Sequence, residues 1–246
     1  MSVTPLGEWL FRSLFCVALT AVNTGVFAAD CGSMPVAYTA NYSVTRNNDK
    51  DGAMQVVLQR HADNTYSYRM DTRVQWGIFT AQIEQQSDFS WRDGVIFPGS
   101  FQLTQKVSLY KRSETAEFDW VSMKATGTKK RRDFEVDLQA GMQDKLTIYL
   151  LLARSVCEGK IPVEADVVSG PVLKRHSYQL VATETLDTVL GLLPVLQFRR
   201  GATDDEKQTD LWLAEALRFL PVKLVYRDEN EITVMQIENI SFAPAD

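Results

Sequence analysis

Apolar and polar residues alternate through most of this chain. The clearest run sets Tyr66, Tyr68, Met70, Thr72, Val74 and Trp76 against Ser67, Arg69, Asp71, Arg73 and Gln75. Successive side chains of a strand point to opposite faces, so this run predicts a strand with an aromatic face inward and a polar face in solvent. After a break at Gly77, Ile83, Phe89 and Trp91 oppose Glu84, Gln86 and Asp88, and Asp93-Gly94 supplies a hairpin turn. The same period predicts strands over 36–46, 53–61, 95–107, 113–121 and 132–138, with turns at 47–52 and 63–64. This first half reads as an antiparallel meander. Strands resume at 172–182, 187–192, 195–200, 209–213, 222–226 and 232–242, with turns at 202–206 and 228–230.

One segment changes period. Leu146, Tyr149, Leu150, Ala153 and Val156 recur at helical spacing, with Asp144 near the start and Gly159 just past the end. That predicts a helix of about four turns. Ile148, Leu151 and Leu152 make it apolar almost all round, so it should pack into the sheet, with Arg154 the one long charged group well inside it. The expected fold is mainly β: a large curved antiparallel sheet, a half-barrel or open barrel, with one main apolar helix. No linker, repeat or shift in composition divides residues 29–246, which are read as a single β-rich domain.

The first 28 residues lie outside that pattern. Arg12 precedes an apolar stretch over 13–22, and small residues follow up to Ala28 and Ala29. This order predicts a secretory signal peptide over 1–28, cut after Ala28, with Ala29 the second choice. Thr20, Asn23, Thr24 and Gly25 interrupt the run before the roughly 20 apolar residues that a spanning helix needs. Lipid anchoring would need a cysteine directly after a small residue, but Cys16 follows Phe15 and Cys31 follows Asp30. The expectation is therefore a periplasmic protein without a transmembrane anchor.

Export changes the reading of the cysteines. Cys16 leaves with the signal, so Cys31 and Cys157 are the two that reach an oxidising compartment, and a disulfide between them is expected. The other reading is a buried free thiol at Cys157 and a frayed Cys31. A formal net charge of −5 makes nucleic acid a poor partner, since its binding rests on basic surface.

Chemistry is sparse. His61 and His176 have no second ligand at a metal-binding spacing, and no nucleophile elbow, phosphate loop, dinucleotide fingerprint or zinc-protease motif occurs. Asp119, between Phe118 and Trp120, is the most conspicuous acid, read as a polar residue on the solvent face of a strand. Lys129, Lys130, Arg131 and Arg132 form the one basic run, either a solvated hairpin or a contact for an anionic headgroup. Two glycosylation sequons, at Asn41 and Asn239, fall in expected strands and carry no weight. No catalytic residue, metal site or cofactor is expected, and the protein is read as not an enzyme. A hydrolase acting on a cell-wall or lipid substrate is the least favoured reading.

Several motifs recur in a familiar order. They are Trp76-Gly77-Ile78-Phe79, Asp93-Gly94-Val95-Ile96-Phe97-Pro98, Ala116-Glu117-Phe118-Asp119-Trp120, the helix opening Asp144-Lys145-Leu146-Thr147-Ile148-Tyr149, Leu190-Gly191-Leu192-Leu193-Pro194, and Leu211-Trp212-Leu213-Ala214 followed by Leu220-Pro221-Val222-Lys223. In this order the chain resembles the bacterial domain of unknown function 3108 family over nearly all of its mature length. The segment from Trp212 to Phe242 also resembles the closing strands of periplasmic lipoprotein carriers of the LolA type, in which a curved sheet holds acyl chains. Neither resemblance brings a catalytic residue.

The candidate ligand face is therefore the apolar one: Tyr66, Tyr68, Met70, Trp76, Phe89, Trp91, Phe118 and Trp120. Either it surrounds an apolar ligand, such as a lipid, an acyl chain or a hydrophobic segment of an envelope partner, or it fills the core of a structural or interaction protein in envelope assembly. An open cavity of several hundred cubic ångströms decides for the first, and a filled interior for the second.

Overall fold

The computed structural model describes residue 31 and residues 35–47, 49–76, 78–201, 207–228 and 231–244. The expected signal segment over 1–28, its cleavage point at Ala28, the expected turn at 202–206 and residues 229–230 of the expected turn at 228–230 lie outside them. Among the described residues, fourteen strands form one antiparallel sheet in the order β8-β7-β6-β5-β4-β3-β2-β1-β14-β13-β12-β11-β10-β9. In chain order they are β1 Tyr38–Arg46, β2 Asp49–Arg60, β3 Thr65–Trp76, β4 Phe79–Arg92, β5 Val95–Val107, β6 Tyr110–Asp119, β7 Lys124–Lys129, β8 Arg132–Asp137, β9 Val163–Ser169, β10 Val172–Thr188, β11 Gly191–Arg200, β12 Gln208–Ala214, β13 Leu220–Asp228 and β14 Glu231–Phe242. The sheet is a mainly β, curved, open structure with one helix, α1 Thr147–Cys157.

Its pairing follows the alternation. One cross-strand row runs Phe242, Tyr38, Leu58, Tyr68, Ser87, Phe101, Ala116, Gly127, Phe134, with a single polar side chain, Ser87, in the middle. Because every side chain in such a row faces the same way, the row is the inner wall. The hairpin turn at Asp93 and Gly94 has positive φ at both residues, the conformation that a two-residue turn matched to strand twist requires.

Three elements differ from the sequence expectation. β7 and β9 were not foreseen. β7 turns Ala125, Gly127 and Lys129 inward, too small or too polar to signal a buried face. β9 alternates through Val163, Ala165 and Val167, but Val168 is buried as well and blurs the period. The expected strands at 172–182 and 187–192 are one 17-residue strand, β10, bent by a register shift between Leu180 and Ala182, then an exposed turn at Val189-Leu190. The apolar residues 189–190 are in the turn, so composition pointed to a strand where the chain reverses.

α1 has 11 residues, about three turns instead of four, because residues 144–146 cap it without joining it. It lies in the concavity. Leu146 and Leu150 belong to a cluster that runs through β1–β8 and on into β9 and β11–β14, while Ile148, Leu152 and Val156 pack with Val163, Val167, Tyr178, Phe198, Leu211 and Leu213 of β9–β12. Full burial of such side chains contributes roughly 1.5–3 kcal/mol each, so the helix ties both halves of the sheet together.

The terminal strands β8 and β9 do not pair with each other. Short links span the gap. Gln143 N–H donates to the Asp166 carbonyl (3.0 Å), Val168 N–H donates to the Gln143 carbonyl (2.9 Å), and the Lys129 ammonium donates to the Ser169 carbonyl (2.8 Å).

Candidate functional site

The expected aromatic face comes together. Tyr66, Tyr68, Phe89, Trp91 and Phe118 are buried in one cluster, with Met70 and Trp120 packed against it. Trp76 ends β3 opposite Phe79, and its side chain lies outside what the structure describes. Tyr66 stacks on Phe89 with ring centres 5.1 Å apart. The Tyr38 hydroxyl donates to that of Tyr68 (3.2 Å), and burial pushes the Tyr68 hydroxyl up to about 12. Trp120 sits in the turn after β6 and donates to the Pro98 carbonyl (2.7 Å), so it braces a corner instead of lining the interior.

Leu146 and Leu150, at the start of the helix, share one buried cluster with this face. Asp144, buried, anchors its start: Oδ2 accepts from the Ser87 hydroxyl (2.5 Å), and Oδ1 accepts from the Leu146 and Thr147 amides (2.7 and 2.9 Å). The Asp144 amide donates back to the Thr147 hydroxyl (3.0 Å), completing a reciprocal cap. Burial raises the Asp144 carboxyl although these donors oppose it.

The C-terminal end of the helix opens on a cleft of about 90 Å³. Tyr38, Leu58, Trp91, Leu150, Ala153, Leu220 and Phe242 line it, with the Cys31–Cys157 disulfide on one side. Arg154 closes another side: it donates to the Gly94 carbonyl, pairs with Glu158 (2.7 Å), and sits 4.7 Å over the Trp91 ring. Of the lining residues only Trp91 belonged to the expected face. Leu150, Ala153 and Cys157, spaced three and four apart on one side of the helix, carried the signal for this spot.

The inner wall turns polar towards the other end. The buried Glu114 carboxylate meets Lys145 (2.6 Å) and Lys129 (3.4 Å), and Lys145 also lies 5.5 Å from the centre of the Phe101 ring. Burial lowers the Lys145 ammonium, with Glu114 opposing the shift. Across the sheet, His176 contacts the Tyr178 hydroxyl (3.4 Å), and Arg200 donates to Thr209 (2.9 Å). His61 is exposed and bonds Ser67 (2.8 Å), far from His176 along the chain. Among the described residues, no three His, Cys, Asp or Glu side chains gather as a metal site would require. Asp119 is exposed and accepts from the Val121 and Ser122 amides (2.8 and 3.1 Å), a turn-forming role.

Comparison with solved structures places the fold. The crystal structure of a β-barrel-like protein of the domain of unknown function DUF1849 from Brucella abortus aligns with a TM-score of 0.58 at 12% identity, over 85% of this chain and 99% of that one. A crystal structure of MucB in complex with MucA(peri) aligns with a TM-score of only 0.15 at 7% identity, over 85% and 94%, which carries no fold argument. No curated protein matches the chain. The resemblance to LolA-type carriers rests on the strand pattern of residues 212–242. The family model described as protein of unknown function DUF3108 matches residues 37–237, from the start of β1 into β14, and the chain belongs to that family.

Proposed function

We propose that this is a noncatalytic, exported protein of the cell envelope that holds a hydrophobic segment of a partner in the cleft beside the disulfide. The observation that carries the reading is size. Pockets that enclose a drug-sized or acyl ligand run to roughly 300–1,000 Å³. The cleft, at about 90 Å³, has room for an apolar side chain and little more. The aromatic face, read as either a ligand face or a filled core, shares a buried cluster with Leu146 and Leu150, which favours the core reading.

Association through strand edges, the alternative for an assembly protein, has less in its favour. Gln143 covers part of β9, and β8 is six residues long and carries Arg132, Asp133, Glu135 and Asp137. Charges on a short edge strand resist pairing with another chain.

The test uses N-phenylnaphthylamine as an apolar probe. Saturable probe fluorescence is expected with the native protein. Ala153→Leu, which fills the cleft from its helix wall, should abolish it, with melting curves confirming that the variant folds. Native mass spectra should show no retained acyl lipid. A stoichiometric lipid would return the lipid-carrier reading, and probe binding untouched by Ala153→Leu would remove the cleft.

A further inference from the structure

We propose that the protein docks on the surface of an anionic lipid bilayer through the tips of the β3–β4 and β5–β6 hairpins and the basic turn between β7 and β8. Neighbouring strands run antiparallel, so turns alternate between two ends of the sheet. The helix C-terminus, the disulfide and the cleft occupy one end. Ile78 and the turns at 108–109 and 130–131 occupy the other.

At that far end Ile78 is 88% exposed, Leu109 is fully exposed and Tyr110 is 63% exposed. They stand at nearly one height: Ala81 pairs with Val107, Ile78 lies three residues beyond the first, and Leu109 lies two beyond the second. Apolar side chains held out on hairpin tips have nothing to bury against among the described residues. A bilayer interface accepts them, and it favours an amphipathic tyrosine such as Tyr110.

Charge identifies the kind of bilayer. Arg73, Gln82, Lys106 and Lys111 form one cross-strand row on the outer face just below the tips. Lys106 and Lys111 are directly opposed, an arrangement that costs stability while nothing neutralises it. Lys130, Arg131 and Arg132 turn beside this row, level with residues 111–114 because Lys129 pairs with Glu114. That places them about four residues, or about 13 Å, behind the Leu109 tip, the depth at which headgroups meet side chains when the tip enters the acyl boundary. Arg73, Lys106, Lys111, Lys130, Arg131 and Arg132 are exposed and form no ion pair with a described residue. Among described acids on this face, Asp71 pairs with Arg69 (2.8 Å), Glu84 accepts from Gln82 (2.7 Å) and Asp133 accepts from Thr128 (2.9 Å) instead of pairing with these cations.

Exposed apolar residues at the opposite end have acidic company. Val189, Leu190 and Leu192 follow Asp187, and Val121 follows Asp119. An anionic surface would repel these two turns. Asp228 and Glu231, which flank the β13–β14 turn at this end, pair with Lys207 (2.9 Å) and Arg46 (3.9 Å), so the basic row on the β3–β8 side sets the contact.

Co-sedimentation with vesicles tests the proposal, comparing phosphatidylcholine alone with phosphatidylcholine containing phosphatidylglycerol. The protein is expected to bind the anionic vesicles and to leave them as salt rises. Lys106→Glu with Lys111→Glu, or Ile78→Glu with Leu109→Glu, should weaken binding at least about tenfold. Val189→Glu with Leu192→Glu should change it by less than about twofold. Hydrogen exchange on the unaltered protein gives a reading that no variant can confuse: anionic vesicles should protect residues 107–111 and leave 187–192 unchanged. No binding, equal binding to neutral vesicles, or protection at 187–192 would overturn the proposal. Failure of the cleft to bind an apolar probe would leave it standing, since the two sites lie at opposite ends.

Discussion

Single side chains decide how the helix enters the sheet and how the protein responds to acid. Asp144 accepts from the Ser87 hydroxyl in the wall and from the Leu146 and Thr147 amides at the helix start. Asp144→Ala would leave these donors buried without acceptors. A lost cap and an orphaned hydroxyl together cost about 2–3 kcal/mol, to be read from urea denaturation, and Asp144→Asn should recover about half. His176 contributes a pH response of its own. Burial, then the charges of Arg200 and Lys174, lowers its imidazole to about 4. The unfolded chain binds the proton near 6.5 while the folded one does not, so stability present above about 6.5 is lost as pH falls towards about 4. With the ring partly in solvent, the loss is about 1–2 kcal/mol. His176→Asn should flatten the melting temperature over that window.

At the scale of elements, what could be foreseen tracked how completely one face is buried. β3, β5 and β14 were legible because their inner and outer residues differ sharply, Tyr68 against Arg69 being the plainest case. β7 was not, since Gly127 faces inward where a larger side chain would strike the Thr115 carbonyl, and the close approach removes the apolar signal itself. The face around Tyr66 and Phe89 could be read, but its occupant could not: only the structure places Leu146 and Leu150 against it. The expected disulfide is present, joining the chain ahead of β1 to the last residue of α1 across 126 positions. A loop that long limits the unfolded chain by up to about 5 kcal/mol on the entropy model. Cys31→Ser with Cys157→Ser should therefore lower stability by about 2–5 kcal/mol. Near-ultraviolet circular dichroism should report loosening around Trp91, which shares the cleft with the disulfide.

Across the whole molecule, the open sheet behaves as a closed body only if something other than strand pairing joins its ends. That joint is electrostatic as well as apolar. Lys129 of β7 reaches the Ser169 carbonyl at the end of β9, and Glu114 of β6 holds both Lys129 and Lys145, the residue two before α1. One buried carboxylate thus holds the first half of the sheet, the second half and the helix in register. Removing the charge leaves two partly buried ammonium groups facing each other without a counter-ion, which costs more than the pair contributes while intact. Glu114→Gln keeps the shape and should destabilise by about 2–4 kcal/mol. The distribution of the effect matters more than its size. If the carboxylate is the clasp, hydrogen exchange in Glu114→Gln will quicken first along β7, β8 and β9, while β2 and β3, paired on both sides and distant from the seam, keep their protection. Uniform acceleration across all strands would instead mean that the seam is held by the helix alone, with Glu114 acting only on global stability.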